Sequence, residues 1–341
     1  MKKMRVTEAV GQTLCHDLTG VDGKGEKSVV FRRGHIITEA DIPRLLDIGK
    51  SQVNIWEADS GDVHEEEAAL ALAEAVCGGH MRFVRTPTEG KVTLCAAAAG
   101  LFRVNTAAVK RLNSVGDYSV VCRPGDISAH VNETLCALRI VPLVTSRETV
   151  DKAVGIARED NPVFSVIPFK PLLCGIIITG NEIYKGRIQD RMEPVVRKKL
   201  EAFGARVLNA VKCPDDAAVI CRAINAFQEQ GASLVVLTGG MSVDADDVTP
   251  EAIVQSGAAV VARGVPMQPG NMLMLAYLGE TALIGIPASV MHHPVTSFDV
   301  FLPRVFAGIQ ITKEEIADYG VGGLCRFCPD CRFETCYFGN R

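Results

Sequence analysis

From Leu173 the chain alternates between unbroken apolar runs and stretches whose apolar residues recur at helical spacing. "LLCGIIITG" (172–180) has no polar face, as expected of a strand buried on both sides of a sheet. An amphipathic helix follows in "DRMEPVVRKKLEAFGA" (190–205), then the strand "RVLNAVKC" (206–213) and the helix "DDAAVICRAINAFQEQG" (215–231). The strand "SLVVLTG" (233–239) and the helix "TPEAIVQSG" (249–257) repeat the unit. Such alternation predicts an α/β fold, a parallel sheet sandwiched between helices. "MLMLAYLGETALIGIPA" (272–288) reads as a hairpin on a mixed edge of that sheet. "VMHHPVTSFDVFLPRVFAG" (290–308) reads as a closing helix interrupted early by Pro294.

The pattern upstream is shorter in period. Residues 1–60 read as a small α+β module with a turn at Gly34. Thr38 is expected to cap a helix, with Asp41 in capping-box position and Ile42, Leu45 and Leu46 on one face. Gly49 ends that helix, and "QVNIWE" (52–57) returns as a strand. Residues 61–171 open with an alanine-rich helix over about 65–77 and continue as a β-rich α+β module. Its runs include "GKVTLCAAAAGLFRV" (90–104) and "YSVVCRPGDIS" (118–128), with one clear helix in "TAAVKRLNSVG" (106–116). Asp126 and His130 are expected on a surface loop. A helix over 147–159 leads to "DNPVFSVIPFKPLL" (160–173), whose prolines predict a connector. The α/β domain then spans 172–310, and a cysteine-rich tail covers 311–341.

Composition narrows the function. The 341 residues suit two or three domains, and 48% apolar with 22% charged residues is globular. A net charge of −4 offers no basic excess for nucleic acid or for a membrane surface. No apolar run approaches the ~20 residues of a membrane span, and "MKKMRVTEAVGQTLCHDL" lacks the apolar core of a secretory signal. A cytoplasmic protein is expected. Eight of the twelve cysteines are scattered beside apolar residues, as Cys95, Cys122, Cys136 and Cys174 are, and read as small buried hydrophobes.

In an open parallel sheet, ligands bind outside the carboxyl ends of the strands. The loops "TGNEIYKGRIQD" (179–190), "CPDD" (213–216) and "TGGMSVDADD" (238–247) leave that edge, with "PMQPGNM" (266–272) and "GIPASVMHH" (285–293) beside them. Thr238, Gly239 and Gly240 follow directly on an apolar strand, where glycine lets backbone N–H groups approach an anion. Thr249 and Pro250 are expected to cap and start the next helix. Asp244, Asp246 and Asp247 crowd the same loop, and Glu182, Asp190, Asp215 and Asp216 repeat the bias at neighbouring strand ends. Carboxylates alone repel phosphate. They can hold Mg²⁺ that in turn contacts an oxyanion, or accept hydrogen bonds from a polar ring such as a pterin.

"TGNEI…QD", "PDD", "LTGGMSVDADDVTPEAI" and "PGNMLMLAYLGETALIGIPASVMHHPVTSFDVFLPRVFAG" stand in the order of the molybdenum-cofactor biosynthesis domain. Residues 172–308 thus resemble the family of molybdopterin adenylyltransferases and molybdotransferases. The resemblance implies molybdopterin or its molybdenum form as ligand. It implies a pocket of Thr179, Gly180, Glu182, Asp190, Asp216, Thr238, Gly239, Gly240, Ser242, Asp246, Asp247, Pro269, Gly270, Pro287 and Ser289, with Asp190 and Asp247 as its catalytic candidates. Its implied partners are the pterin ligand, a molybdoenzyme or cofactor-biosynthesis enzyme, and a second copy of the chain. The family's lysine-bearing "PGK" turn is here "MQPGNM", and its "GLPGNP" turn is "GIPASV". The "DNSAMDGYA"-type segment has no counterpart in residues 1–171. These losses favour cofactor binding in maturation, delivery or sensing over full transferase chemistry.

Two other classes compete. The competence-damage-like proteins carry a "GGLGPTxDDxT" loop that "GGMSVDADDVT" approaches, which implies a Mg²⁺-dependent nucleotide pyrophosphatase. A structural adaptor with a vestigial pocket is the third. Separately, Cys325, Cys328, Cys331 and Cys336 follow a C-x2-C-x2-C-x4-C spacing that predicts a metal centre on a free-standing knob. The two-residue spacings suit an iron–sulfur cluster, and four thiolates also suit zinc.

Overall fold

The computed structural model describes residues 2–21, 25–55, 61–87, 90–242, 244 and 247–340. They gather into two compact units: Met1–Ala96 with Asn105–Arg123 and Glu133–Ser165, and Ala97–Val104 with Pro124–Asn132 and Val166–Arg341.

In the first unit the strands Lys2–Arg5 and Gln52–Ile55 pair antiparallel, as do Leu18–Val21 and Lys27–Phe31. They enclose a small core of Val6, Leu14, Ile37, Leu45 and Val53. Its helix begins at Asp41, and the Asp41 carboxylate reaches back to accept from the Thr38 N–H at 2.9 Å and hydroxyl at 2.7 Å. The unit also holds the antiparallel pair Asp62–His64 with Val144–Ser146, and a four-stranded sheet in the order 81–83, 91–96, 134–140, 118–122, beside the helices Glu65–Val76, Thr106–Asn113 and Arg147–Glu159. The stretch expected as a connector carries a strand, Phe164–Pro168. Its prolines sit beside and at the end of that strand, where a missing N–H costs least.

The second unit holds the α/β domain. Its strands are β1 (Leu173–Thr179), β2 (Arg206–Cys213), β3 (Leu234–Thr238), β4 (Ala259–Arg263), β5 (Met274–Leu278) and β6 (Thr281–Ile286), in the order β2-β1-β3-β6-β5-β4. β2, β1, β3 and β6 run parallel, whereas β5 and β4 are antiparallel additions. The helices are α1 (Asn181–Tyr184), α2 (Met192–Ala202), α3 (Ala217–Glu229), α4 (Thr249–Gln255), α5 (Ser289–His292), α6 (Ser297–Phe306) and α7 (Lys313–Asp318).

Two cores flank the sheet because successive strand residues face opposite sides. Ile176, Ile178, Val236 and Ile284 pack with Val196, Leu200, Phe301 and Phe306 on one face. Ile177, Val235, Leu237 and Leu283 pack with Ile220, Ile224, Phe227 and Ile253 on the other. Neither strand of the expected hairpin is at the edge, since β5 lies between β6 and β4. β6 pairs with β3 and lies inside the sheet, and the true edge is β4, "AVVAR". Val260 is exposed there, so the segment lacks the continuous apolar run that marks its neighbours.

Asp126 is no free surface residue: it lies 2.9 Å from Arg304 and 2.6 Å from Arg103, and Arg304 is 1% exposed. The other Nη of Arg304 pairs with Glu315 at 2.5 Å. The tail is no free-standing knob either. Gln268 N–H donates to the Gly323 carbonyl at 2.7 Å, and Cys325 N–H to the Gln268 carbonyl at 2.8 Å. Phe338 is 3% exposed, in one core with Tyr319 and Phe301. An aromatic ring so placed buries apolar surface that a loose tail would leave in water.

Candidate functional site

The strand register sets the site. Thr179 stands opposite Cys213, and Thr238 opposite both Ile178 and Ile286, so four parallel strands end at one edge. β5 starts at that edge, since Met274 stands opposite Gly285, and brings Pro269 and Gly270 with it. Thr179, Gly180, Glu182, Asp216, Thr238, Gly239, Gly240, Ser242, Pro287 and Ser289 therefore leave the sheet on the same side.

A buried hydroxyl lock shapes the glycine loop. Thr179 Oγ1 donates to the Thr238 carbonyl at 3.1 Å and lies 3.1 Å from Thr249 Oγ1. Thr249 Oγ1 donates to the Gly239 carbonyl at 2.9 Å, so this threonine ties the loop and does not cap α4 as expected. A Cβ on Gly239 would stand 2.3 Å from the Thr179 carbonyl oxygen, at a φ of +87°. Gly270 is held in the same way: its carbonyl accepts from Ser297 Oγ at 2.7 Å, and a Cβ there would stand 2.3 Å from that oxygen.

The carboxylates are largely spoken for. Asp190 accepts from Met192 N–H at 2.8 Å and Glu193 N–H at 3.2 Å, and so caps α2. Asp216 caps α3 through Val219 N–H at 3.1 Å. Asp215 accepts from Asn181 N–H at 2.8 Å and ties two strand-end loops together. Asp247 accepts from Asp244 N–H at 3.1 Å, closing a turn. Glu182 and Ser242 are exposed. Asp246 lies outside the described residues.

Two hydroxyls remain. Thr238 Oγ1 and Ser289 Oγ are buried with no hydrogen-bond partner among the described residues. They follow the adjacent strands β3 and β6, at the ligand edge. An unsatisfied buried hydroxyl costs about 1–3 kcal/mol, so these two groups are a local expense of the fold at this edge. Sequence reasoning dwelt on the acids and passed over Lys185, Arg187 and Arg191, which are exposed on the loop between β1 and α2. Their signal was the "YKGRIQDR" run itself, with its three cations.

Beyond α5 a cavity of about 260 Å³ is walled by Pro269, His292 and His293 and by all four tail cysteines. Among the described residues, no three His, Cys, Asp or Glu side chains stand close enough to hold one metal ion as they are. No helix among those residues is long and apolar enough to cross a membrane.

Comparison with known proteins matches this architecture to a family. The family described as a probable molybdopterin binding domain covers residues 175–307. These residues form a molybdenum-cofactor biosynthesis domain. A domain family of unknown function covers residues 3–57. A CinA-like protein of Mycobacterium tuberculosis is 38% identical over 79 residues, 23% of this chain and 18% of its own length. A molybdopterin molybdenumtransferase of Synechococcus elongatus is 26% identical over 165 residues, 46% of this chain and 40% of its own. The chain thus spans less than half the length of each of these curated relatives. The solved molybdopterin biosynthesis enzyme MoaB of Thermus thermophilus is 19% identical, covering 39% of this chain and 91% of its own, with a TM-score of 0.33.

Proposed function

We propose that the α/β domain binds molybdopterin or its molybdenum form at the strand-end edge and serves in maturation, delivery or sensing of that cofactor. The carrying observation is the pair of buried, unpartnered hydroxyls, Thr238 Oγ1 and Ser289 Oγ, on adjacent strand ends. A pterin phosphate presents the polar atoms such hydroxyls lack, and the Gly239–Gly240 turn lets its backbone approach closely. Lys185, Arg187 and Arg191 supply positive charge for the phosphate, and the exposed Glu182 can accept from the ring's N–H groups. Binding rather than group transfer suits the acids, since Asp190 and Asp216 already cap helices. Hand-over would take place on a molybdoenzyme or cofactor-biosynthesis enzyme, in the cytoplasm, with pairing of two chains a further option for the same edge.

Thr238→Val removes one hydroxyl at nearly constant volume. It should weaken pterin binding about tenfold, ~1.4 kcal/mol, while leaving the ligand-free chain as stable as the parent or more so. Titration of the pterin with both chains, beside thermal unfolding without ligand, reads both effects. Unchanged affinity in a folded variant would sink the site.

A Mg²⁺-dependent nucleotide pyrophosphatase is the second reading, favoured by the 79-residue match to the CinA-like protein and by the Asp244–Asp247 turn. It requires Mg²⁺-dependent turnover of ADP-ribose that Asp247→Asn abolishes. The expected result is no turnover above background. An iron–sulfur or zinc centre on the tail is independent of both readings.

A further inference from the structure

We propose that the cavity under the C-terminal tail binds a small planar ring that carries an anionic group, a phosphate or a carboxylate. The cavity, of about 260 Å³, lies between two parts of the chain that are distant in sequence. One wall is Pro269 with residues 292–295, and the other comes from tail residues between Cys325 and Phe338. The tail wall is pinned at both ends. Its start is bonded to the backbone of Gln268 through Gly323 and Cys325, and its end is held by the buried Phe338. Protein interiors are close-packed as a rule, yet the segment between these pins arches over a space instead of filling it. That segment lies outside residues 175–307, which the molybdopterin-binding family covers, and the inference does not rest on the strand-end reading.

Charge gives the first property of the guest. Arg326 and Arg332 border the cavity beside the imidazoles of His292 and His293, and no carboxylate is among the described residues that line it. Neither guanidinium has an ion-pair partner among the described residues. One unpaired surface arginine is ordinary. Two at a single hollow without an acid attract an anion, and the planar guanidinium fork matches a phosphate or carboxylate with paired hydrogen bonds. The rings give the second property. Phe327 and Tyr337 line the cavity yet are 54% and 46% exposed. Phe327 also takes a left-handed φ of +53°, uncommon for a bulky residue. Its contact with the His293 ring, centres 5.5 Å apart, keeps it at the rim, and the Tyr337 hydroxyl is tied to the Leu324 carbonyl at 2.8 Å. A planar guest between such side chains buries apolar surface that they now leave in water. Cations alone would suit free phosphate, and rings alone any apolar molecule. Together they select a ring that bears an anion.

The test titrates the full chain with four probes: 1-naphthyl phosphate, 1-naphthylacetate, 1-naphthol and inorganic phosphate. At least one of the two ring-bearing anions should bind at least tenfold more tightly than either naphthol or phosphate, and the tighter of the two tells phosphate from carboxylate. The double variant R326Q/R332Q, at two exposed positions, should weaken that anion at least tenfold with an unchanged unfolding midpoint. R222Q removes the same charge from α3, which packs on the opposite face of the sheet from Phe338, and should bind like the parent. Occupancy should also slow alkylation of the exposed Cys328 and Cys331 by iodoacetamide, while Cys221 on α3 reacts at its former rate. Failure of both ring-bearing anions to bind overturns the proposal, as does binding that R326Q/R332Q leaves unchanged. A probe that binds at the strand-end edge instead would leave Cys328 and Cys331 as reactive as before, and that result overturns it too.

Discussion

Gly239 owes its identity to the protein before any ligand arrives. A Cβ there would meet the Thr179 carbonyl at 2.3 Å, so a branched substitution at this position tests folding rather than binding. Thr238, next to it, is the opposite case: its hydroxyl is buried and bonds nothing described, so the proposed binding role can be tested there without breaking a described hydrogen bond. Asp41 in the first unit is a residue whose partners can be titrated. Its hydrogen bond from His35 at 2.8 Å, then those from the Thr38 N–H and hydroxyl, hold its carboxyl down to about 2 from an ordinary 3.8. A depressed folded-state pKa contributes stability that is complete above the unfolded value and lost as pH falls through the folded one. The thermal unfolding gap between the parent and Asp41→Asn should therefore be full at pH near 6 and shrink between about 4 and 2. An unchanged gap at pH 3 would show that the carboxylate charge is irrelevant there.

At the scale of elements, α6 is the pivot of the second unit. Pro294 breaks the chain after α5, and Thr296 with Asp299 forms the capping box that starts α6. Phe298, Phe301 and Phe306 face the sheet from it, and Arg304 is held by Asp126 and Glu315. Buried ion pairs contribute little net stability, but removing one partner strands a charge. Asp126→Ala should cost about 3 kcal/mol, read as a lowered denaturation midpoint in urea. Asp126→Asn should recover part of it by keeping one hydrogen-bond acceptor. A cost below ~0.5 kcal/mol would mean that solvent reaches Arg304 freely.

For the whole molecule, the tail and the α/β domain are one packing unit. Phe338 lies in the domain core, and the backbone of Gln268 pairs with Gly323 and Cys325. Phe338→Ala should therefore destabilise the second unit by about 3–5 kcal/mol, and deletion of residues 324–341 should do at least as much. Calorimetry of the full chain would register this as an earlier transition. An unmoved transition would return the tail to the status of an appendage.

What the sequence determined by itself was whatever depends on local periodicity or on contiguous motifs. The apolar runs at 173–179 and 234–238 announced the buried parallel strands, and the strand-to-glycine turns announced the edge at which those strands end. The four-cysteine spacing likewise needs no fold to be noticed. Other features were decided by partners distant in the chain. β4 is an edge strand with mixed burial and no local signature, and β6 is interior because β3, more than forty residues earlier, pairs with it. Asp126 looked like a loop residue until Arg304, 178 residues later, came to meet it. The acids of the ligand edge looked like ligands, but the folded chain turned Asp190 and Asp216 into helix caps and left two hydroxyls as the unsatisfied groups. Whether a polar atom is free or already bonded is a property of its surroundings, and only the tertiary structure supplies those.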